Sequence, residues 1–164
     1  MSSTDKFKNV TEQASGRATD IIDLILHDHR AVEALFDQLK ATTEPAEQSR
    51  YFGEVKEALE RHINAEERVL YPRVRKEVPE GKEEASDADE EHDQIRAALK
   101  EVGEHAPGTE LFSLAVDQVV ATTKHHVGVE EAELLPDFRA SSEATERQSL
   151  GLAFEEAKHT TAVS

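Results

Sequence analysis

Two stretches of this sequence place a histidine four residues before a glutamate: His62 with Glu66, and His126 with Glu130. On an α-helix that spacing puts both side chains on one face, about one turn apart. One such pair is common and usually means a solvated contact. Here each pair lies in an apolar stripe, and each is preceded by a further histidine at nearly equal distance. His29 stands 33 residues before His62, and His92 stands 34 before His126. Burying four imidazoles and two carboxylates without a cation would be costly. Two carboxylates at close range would also repel and drive one pKa up. Two metal ions of charge two or three resolve both problems, with Glu66 and Glu130 bridging and His29, His62, His92 and His126 filling terminal positions. Imidazole with carboxylate suits iron, manganese or zinc. Six protein ligands for two metals leave positions open to water, oxide or a small substrate, which favours a reactive site over a closed structural one.

These residues need helices to carry them. Apolar residues recur at spacings of three and four in four runs. They are Ile22, Ile25, His29, Val32, Phe36, Leu39; Phe52, Val55, Leu59, His62, Glu66, Val69; His92, Ile95, Leu99, Val102; and Phe112, Ala115, Val119, Thr122, His126, Glu130, Leu134. Breakers separate them at Pro45, at Pro79 with Gly81, and at Pro107 with Gly108. Asp20 and Thr109 are placed to cap the first and fourth helices, and Ser86 with Asp89 resembles a capping box for the third. Pro72 and Pro136 fall late in helices two and four, where each is expected to kink or end its helix. Leu150, Phe154 and Ala157 share one face of a shorter fifth helix that covers part of the bundle.

The two halves repeat. Residues 61–72, RHINAEERVLYP, align without a gap on 125–136, HHVGVEEAELLP. A duplicated helical hairpin accounts for this. In an antiparallel hairpin, residues equidistant from the turn share a level. The midpoints between His29 and His62, Glu66 and His92, and His92 and His126 fall at Pro45, at Pro79 and beside Pro107–Gly108. The expected fold is therefore all-α: an up-down-up-down four-helix bundle with a short additional C-terminal helix. The expected organisation is a flexible segment over 1–17, the bundle over 18–140, and a C-terminal helix and tail over 141–164.

Other candidates rank lower. His27 and His125 point to other faces, His105 falls at a helix end, and His159 lies in the tail. Glu67 and Glu131 read as rim residues, or as an extra carboxylate or partner of a ligand. Tyr51 reads as core. Tyr71 falls near the open end of the site and is not counted among the ligands.

The bulk numbers agree. With 164 residues the chain suits one domain, and 33% charged with 5% aromatic residues fits amphipathic helices. A net charge of −16 repels nucleic acid and anionic lipid, so neither is expected as a partner. The absence of cysteine excludes disulfides, iron–sulfur clusters and thiol nucleophiles. No apolar run reaches the roughly 18 residues of a membrane span, and the N-terminal stretch has no apolar core of a secretory signal. The expected location is cytoplasmic, as a monomer or weak oligomer.

LHDHRAVEALF, HINAEERVLYP, EEHDQIRAAL and HVGVEEAELLP together resemble the hemerythrin-like family, or HHE cation-binding domain, over about residues 20–140. The resemblance implies a non-haem diiron centre, carboxylate- and oxo-bridged, held by His29, His62, His92 and His126 with Glu66 and Glu130. It also shows departures. Oxygen-carrying hemerythrins have a fifth histidine one turn after the third-helix ligand, where this chain has Arg96, which cannot ligate a metal. Their final carboxylate is an aspartate five residues after its histidine, whereas Glu130 stands four after His126. These departures point away from oxygen carriage and toward the divergent branch linked to peroxide, iron, oxygen or nitric oxide, in the setting of oxidative stress. The expected activity is catalase-like decomposition of hydrogen peroxide. The alternative is an oxygen-, nitric oxide- or iron-binding module without turnover. No residue is assigned a catalytic role.

Overall fold

The computed structural model describes residues 19–163, so the segment expected to be flexible, 1–17, lies outside the described residues. The described chain is helical, without strands. Helix α1 (Ile21–Ala41) begins at Asp20, whose carboxylate accepts from the Ile22 N–H. Helix α2 (Pro45–Ala65) opens with Pro45 in its first turn, where a missing N–H costs nothing. It runs through a π-helical turn, Glu66–Leu70, into α3 (Tyr71–Glu77). Helix α4 (Gly81–Val102) returns. Helix α5 (Glu110–Val129), capped by the Thr109 hydroxyl, runs through a second π turn, Glu130–Leu134, into α6 (Leu135–Ser141). Helix α7 (Ala144–Thr160) then packs across α1 and α2.

Four expectations change or narrow. Of the two outcomes open to Pro72 and Pro136, a kink or an end, neither proline ends its helix. Each sits in the first turn of the α segment that follows a π turn. A proline ring in an α-helix strikes the carbonyl four residues back; a turn closed from Tyr71 N–H to Glu66 O, and from Leu135 N–H to Glu130 O, is wider and lets the chain continue. The wide turn also carries Leu70 and Tyr71 into the core in place of Val69. Ser86 and Asp89 do not cap α4. The turn at Val78–Glu80 is tight enough for the helix to start at Gly81, with Gly81 N–H bonded to Val78 O, so both residues lie inside it. On α5 the buried threonine is Thr123, not Thr122. His159 is the fourth: it lies inside α7, exposed.

The apolar core forms two clusters. One gathers Ile21, Ile25, Leu70, Val74, Leu134, Phe138 and Phe154; the other gathers Val32, Phe36, Leu59, Ile63, Ile95, Val119 and Val120. Along every long helix the polar core residues fall between them: His29 between Ile25 and Val32, His92 between Ala88 and Ile95. Two contacts set the ends. Gln48 accepts from Gly108 N–H and donates to Thr42 O, joining two loops, and Gly108 adopts φ +84°, which a side chain rarely allows. At the other end Gly151 lets α7 press on α1, because a Cβ there would fall 1.9 Å from Thr19 O.

Candidate metal centre

All six residues singled out from the sequence are buried and converge in the polar layer: His29, His62, Glu66, His92, His126 and Glu130. They form two groups of potential ligand atoms, each within 4.8 Å of one another. One is His29, His62, Glu66 and Glu130; the other is Glu66, His92, His126 and Glu130. Both glutamates belong to both groups, the arrangement a bridging carboxylate requires. Each glutamate opens a π turn, and such turns recur at functional sites.

The imidazoles turn their Nε2 atoms inward. His62 Nε2 lies 3.0 Å from Glu66 Oε1, His92 Nε2 3.3 Å from the same oxygen, His29 Nε2 3.2 Å from Glu130 Oε1, and His126 Nε2 3.3 Å from Glu130 Oε2. These approaches are close, yet His29 Nε2, His62 Nε2, both Glu66 oxygens and Glu130 Oε1 are buried with no hydrogen-bond partner aligned to them. The misalignment outweighs the short distances, since a hydrogen bond weakens steeply off-axis. His92 Nε2 and His126 Nε2 face each other at 3.1 Å.

The outward nitrogens show why. His29 Nδ1 donates to Glu131 at 2.8 Å, His62 Nδ1 to Asp28 at 2.9 Å, His92 Nδ1 to Glu67 at 2.8 Å, and His126 Nδ1 to Glu91 at 2.9 Å. An ionised carboxylate only accepts, so each Nδ1 carries a proton, which leaves each inward Nε2 as the nitrogen able to offer a lone pair to a cation. The pattern is cyclic. α1 supplies the carboxylate for α2, the π turn after α2 supplies it for α4, α4 for α5, and the π turn after α5 for α1. Sequence reasoning left Glu67 and Glu131 open and missed Asp28 and Glu91. The available signal was adjacency: each follows or precedes a proposed ligand by one residue.

Cations hold three of the four carboxylates in turn. Lys158 reaches Asp28 at 2.8 Å, Arg96 reaches Glu67 with both contacts at 2.8 Å, and Arg30 pairs with Glu131. Glu91 faces His125 at 3.2 Å. Arg96, the residue standing where oxygen carriers have histidine, thus acts on His92 through Glu67. Tyr71, fully buried, stacks on His92 and donates its hydroxyl to Glu130 at 2.8 Å, with its oxygen 3.0 Å from His92 Nε2. It lies inside the site, not at its end. Five residues of α-helix would turn it about 140° from Glu66; the π turn brings it round.

Without a cation the charges compete. Burial pushes His62 and His126 down, but the carboxylates beside them prevail and push them up to about 10 and about 12. Burial pushes Glu66 up, while His62, His126 and His92 hold it well below the usual carboxylate range. Burial and Glu130 together raise Tyr71 well above its ordinary value, so the phenol keeps its proton. A metal pair is an alternative counter-charge that displaces those protons, and the orphaned nitrogens and oxygens have the donor types to receive it.

A small cavity adjoins the layer. His29, His62 and His126 line it together with the apolar Val32, Phe36, Leu59, Ile63 and Ile95. It offers about 20 Å³ to the centre of a water-sized molecule, room for about one such molecule.

Comparison with known proteins agrees with this geometry. Residues 20–138 match the Hemerythrin HHE cation binding domain. Over 140 residues the chain is 33% identical to a protein named DNA nickase from a Nostoc species, covering 84% of this chain but 39% of that protein. Over 145 residues it is 26% identical to an uncharacterised hemerythrin-like protein of Schizosaccharomyces pombe, covering 88% of this chain and 71% of that one. The chain therefore spans well under half of the first of these relatives. No solved structure matches it.

Proposed function

The chain belongs to the hemerythrin HHE cation-binding family, and from that membership we propose that it holds two iron ions and decomposes hydrogen peroxide to oxygen and water. The observation that carries the reading is the pair of ligand groups sharing Glu66 and Glu130, with buried nitrogens and oxygens left unpartnered between them. In this reading His29 and His62 would hold one ion and His92 and His126 the other, with Glu66 and Glu130 within reach of both. Iron, when bound, would supply the redox change. The chain's own work is positional. Asp28, Glu67, Glu91 and Glu131 fix the imidazole tautomers, Tyr71 orients Glu130 through its hydroxyl proton, and the narrow cavity admits only small molecules.

Metal analysis and the absorption spectrum of the purified protein test the cofactor, and peroxide consumption tests the activity. Two irons per chain, and turnover lost in His62→Ala and Glu130→Ala, are expected. Zinc at full occupancy, or turnover no faster than that of free iron, would overturn it.

The apolar walls of the cavity favour a second reading, reversible binding of oxygen or nitric oxide without turnover. A reversible spectral change on adding the gas to reduced protein, with no peroxide consumed, would establish that instead. The nickase name is that relative's own. A net charge of −16 opposes phosphate, and we infer no nucleic-acid substrate. Nicking of supercoiled plasmid by the iron-loaded protein, with peroxide excluded, would reverse this. No described helix is long and apolar enough to cross a membrane; a cytoplasmic location is part of the proposal, tested by fractionation.

A further inference from the structure

Thr123 is 3% exposed, and its hydroxyl has no hydrogen-bond partner. A threonine inside a helix ordinarily relieves such an atom by bonding to the carbonyl one turn back, here that of Val119, and this one does not. A buried hydroxyl left unpaired destabilises a protein, so the position carries a cost that valine, of similar shape, would avoid. The Thr123 side chain lines the small cavity beside the proposed metal pair, and among the described lining residues Thr123 alone carries a hydroxyl, which is itself buried. Glu33 and Lys124, the charged residues of the same lining, are partly or fully exposed at its rim. Thr123 stands three residues before His126 on the same face of α5, and helical side chains lean toward the N-terminus. The His126 and Thr123 side chains thus border one space, and a turn of the threonine about its Cα–Cβ bond brings the hydroxyl to it.

We propose that Thr123 is a specificity-determining residue: its hydroxyl donates a hydrogen bond to the outer atom of a small ligand in this cavity. The ligand class is a molecule of two or three heavy atoms with a lone pair on the end remote from the metals, such as a peroxide. The apolar walls offer such an atom no other neutral donor. The proposal rests on the reading of this layer as an iron pair, and it adds what that reading lacks, a residue that distinguishes polar small ligands from apolar ones of equal size.

The test uses the full-length iron-loaded protein, with azide as probe, and the variants Thr123→Val and Thr123→Ser. Azide affinity, followed by visible absorption, is expected to fall about 5–10-fold in Thr123→Val, the loss of one hydrogen bond. It should stay within about 2-fold in Thr123→Ser, and the azide stretching frequency should shift in the valine variant alone. The metal-free valine variant should melt higher than the metal-free parent, which a purely structural threonine would not allow. Equal azide affinity in parent and Thr123→Val, or no azide binding by the iron-loaded parent, overturns the proposal. Peroxide consumption by the same preparations separates the two readings. Azide binding that depends on Thr123 without turnover defeats only the peroxide activity; turnover with azide affinity indifferent to Thr123 defeats only this inference.

Discussion

Glu131 Oε2 lies 2.8 Å from His29 Nδ1, across 102 residues of sequence, and the contact joins the last long helix of the bundle to the first. It closes the ring in which each helix aims the next helix's histidine. The ring makes the polar layer one unit: the carboxylates settle which nitrogen faces inward before any metal arrives. Helix α7 extends this control, since its Lys158 holds Asp28 and its Phe154 packs edge-on against the His62 ring at 5.8 Å.

The ring is open to test at its closing contact. Glu131→Ala leaves His29 free to rotate or change tautomer, and loss of such an orienting partner costs about 10–100-fold in metal affinity. Calorimetric titration of the metal-free protein should show that loss in one of two binding steps, while the helical circular dichroism is unchanged. Two undisturbed steps would show that packing alone orients His29.

Sharing of the glutamates predicts unequal stoichiometries. His29 belongs to one ligand group, whereas Glu66 belongs to both. On the proposed two-metal reading, His29→Ala should retain about one metal per chain, and Glu66→Ala should retain neither tightly, because each ion would lose a carboxylate common to both groups. Elemental analysis after gel filtration reads both values.

Removing the metal should weaken the fold. A ligand bound only by the folded state and present at 100 times its dissociation constant stabilises by about 2.7 kcal/mol. Chelation is therefore expected to lower the melting temperature by several degrees, recovered on adding iron back under reducing conditions. Unchanged melting would mean that no ion occupies the layer.

The C-terminal helix should be held by packing rather than by charge. Phe154 is fully buried, and Phe154→Ala is expected to cost about 3–5 kcal/mol in denaturant unfolding. Lys158→Ala should cost less, about 1–2 kcal/mol, since its ion pair with Asp28 is mostly buried but Asp28 keeps its contact with His62. A loss from the lysine variant equal to that from the phenylalanine variant would reverse this ranking.

One carboxyl away from the histidines gives a pH dependence. Burial and the neighbouring carboxylates Asp137, Glu133 and Glu80 push Glu84 up to about 7. The folded chain therefore holds a proton there that the unfolded chain releases near pH 4.5, and this contribution to stability declines as pH rises from about 4.5 through 7. Glu84→Gln should raise the melting temperature more at pH 8 than at pH 5. An equal gain at both values would locate the effect elsewhere.

Much of this architecture is written in residue type and spacing. Asp20 and Thr109 cap the helices they precede, Pro45 and Gly108 stand at the turns, and the buried positions of α1 repeat every three or four residues from Ile22 to Leu39. The six polar core residues were legible because a histidine or glutamate in an apolar stripe has few reasons to be there. Helical period and burial cost are local properties, and a sequence states them directly.

Other features were decided only by the tertiary structure. The wide turns at Glu66 and Glu130 arise where a proline ring must be accommodated inside a packed bundle, and they turn Tyr71 inward against the α-helical period. Asp28, Glu67, Glu91 and Glu131 look like surface charge in sequence because their partners lie on neighbouring helices, 25 to 102 residues away. Thr123 rather than Thr122 faces the cavity for the same reason. Periodicity says which stripe of a helix is buried, but the rotation of one packed helix against the next says which atom meets which.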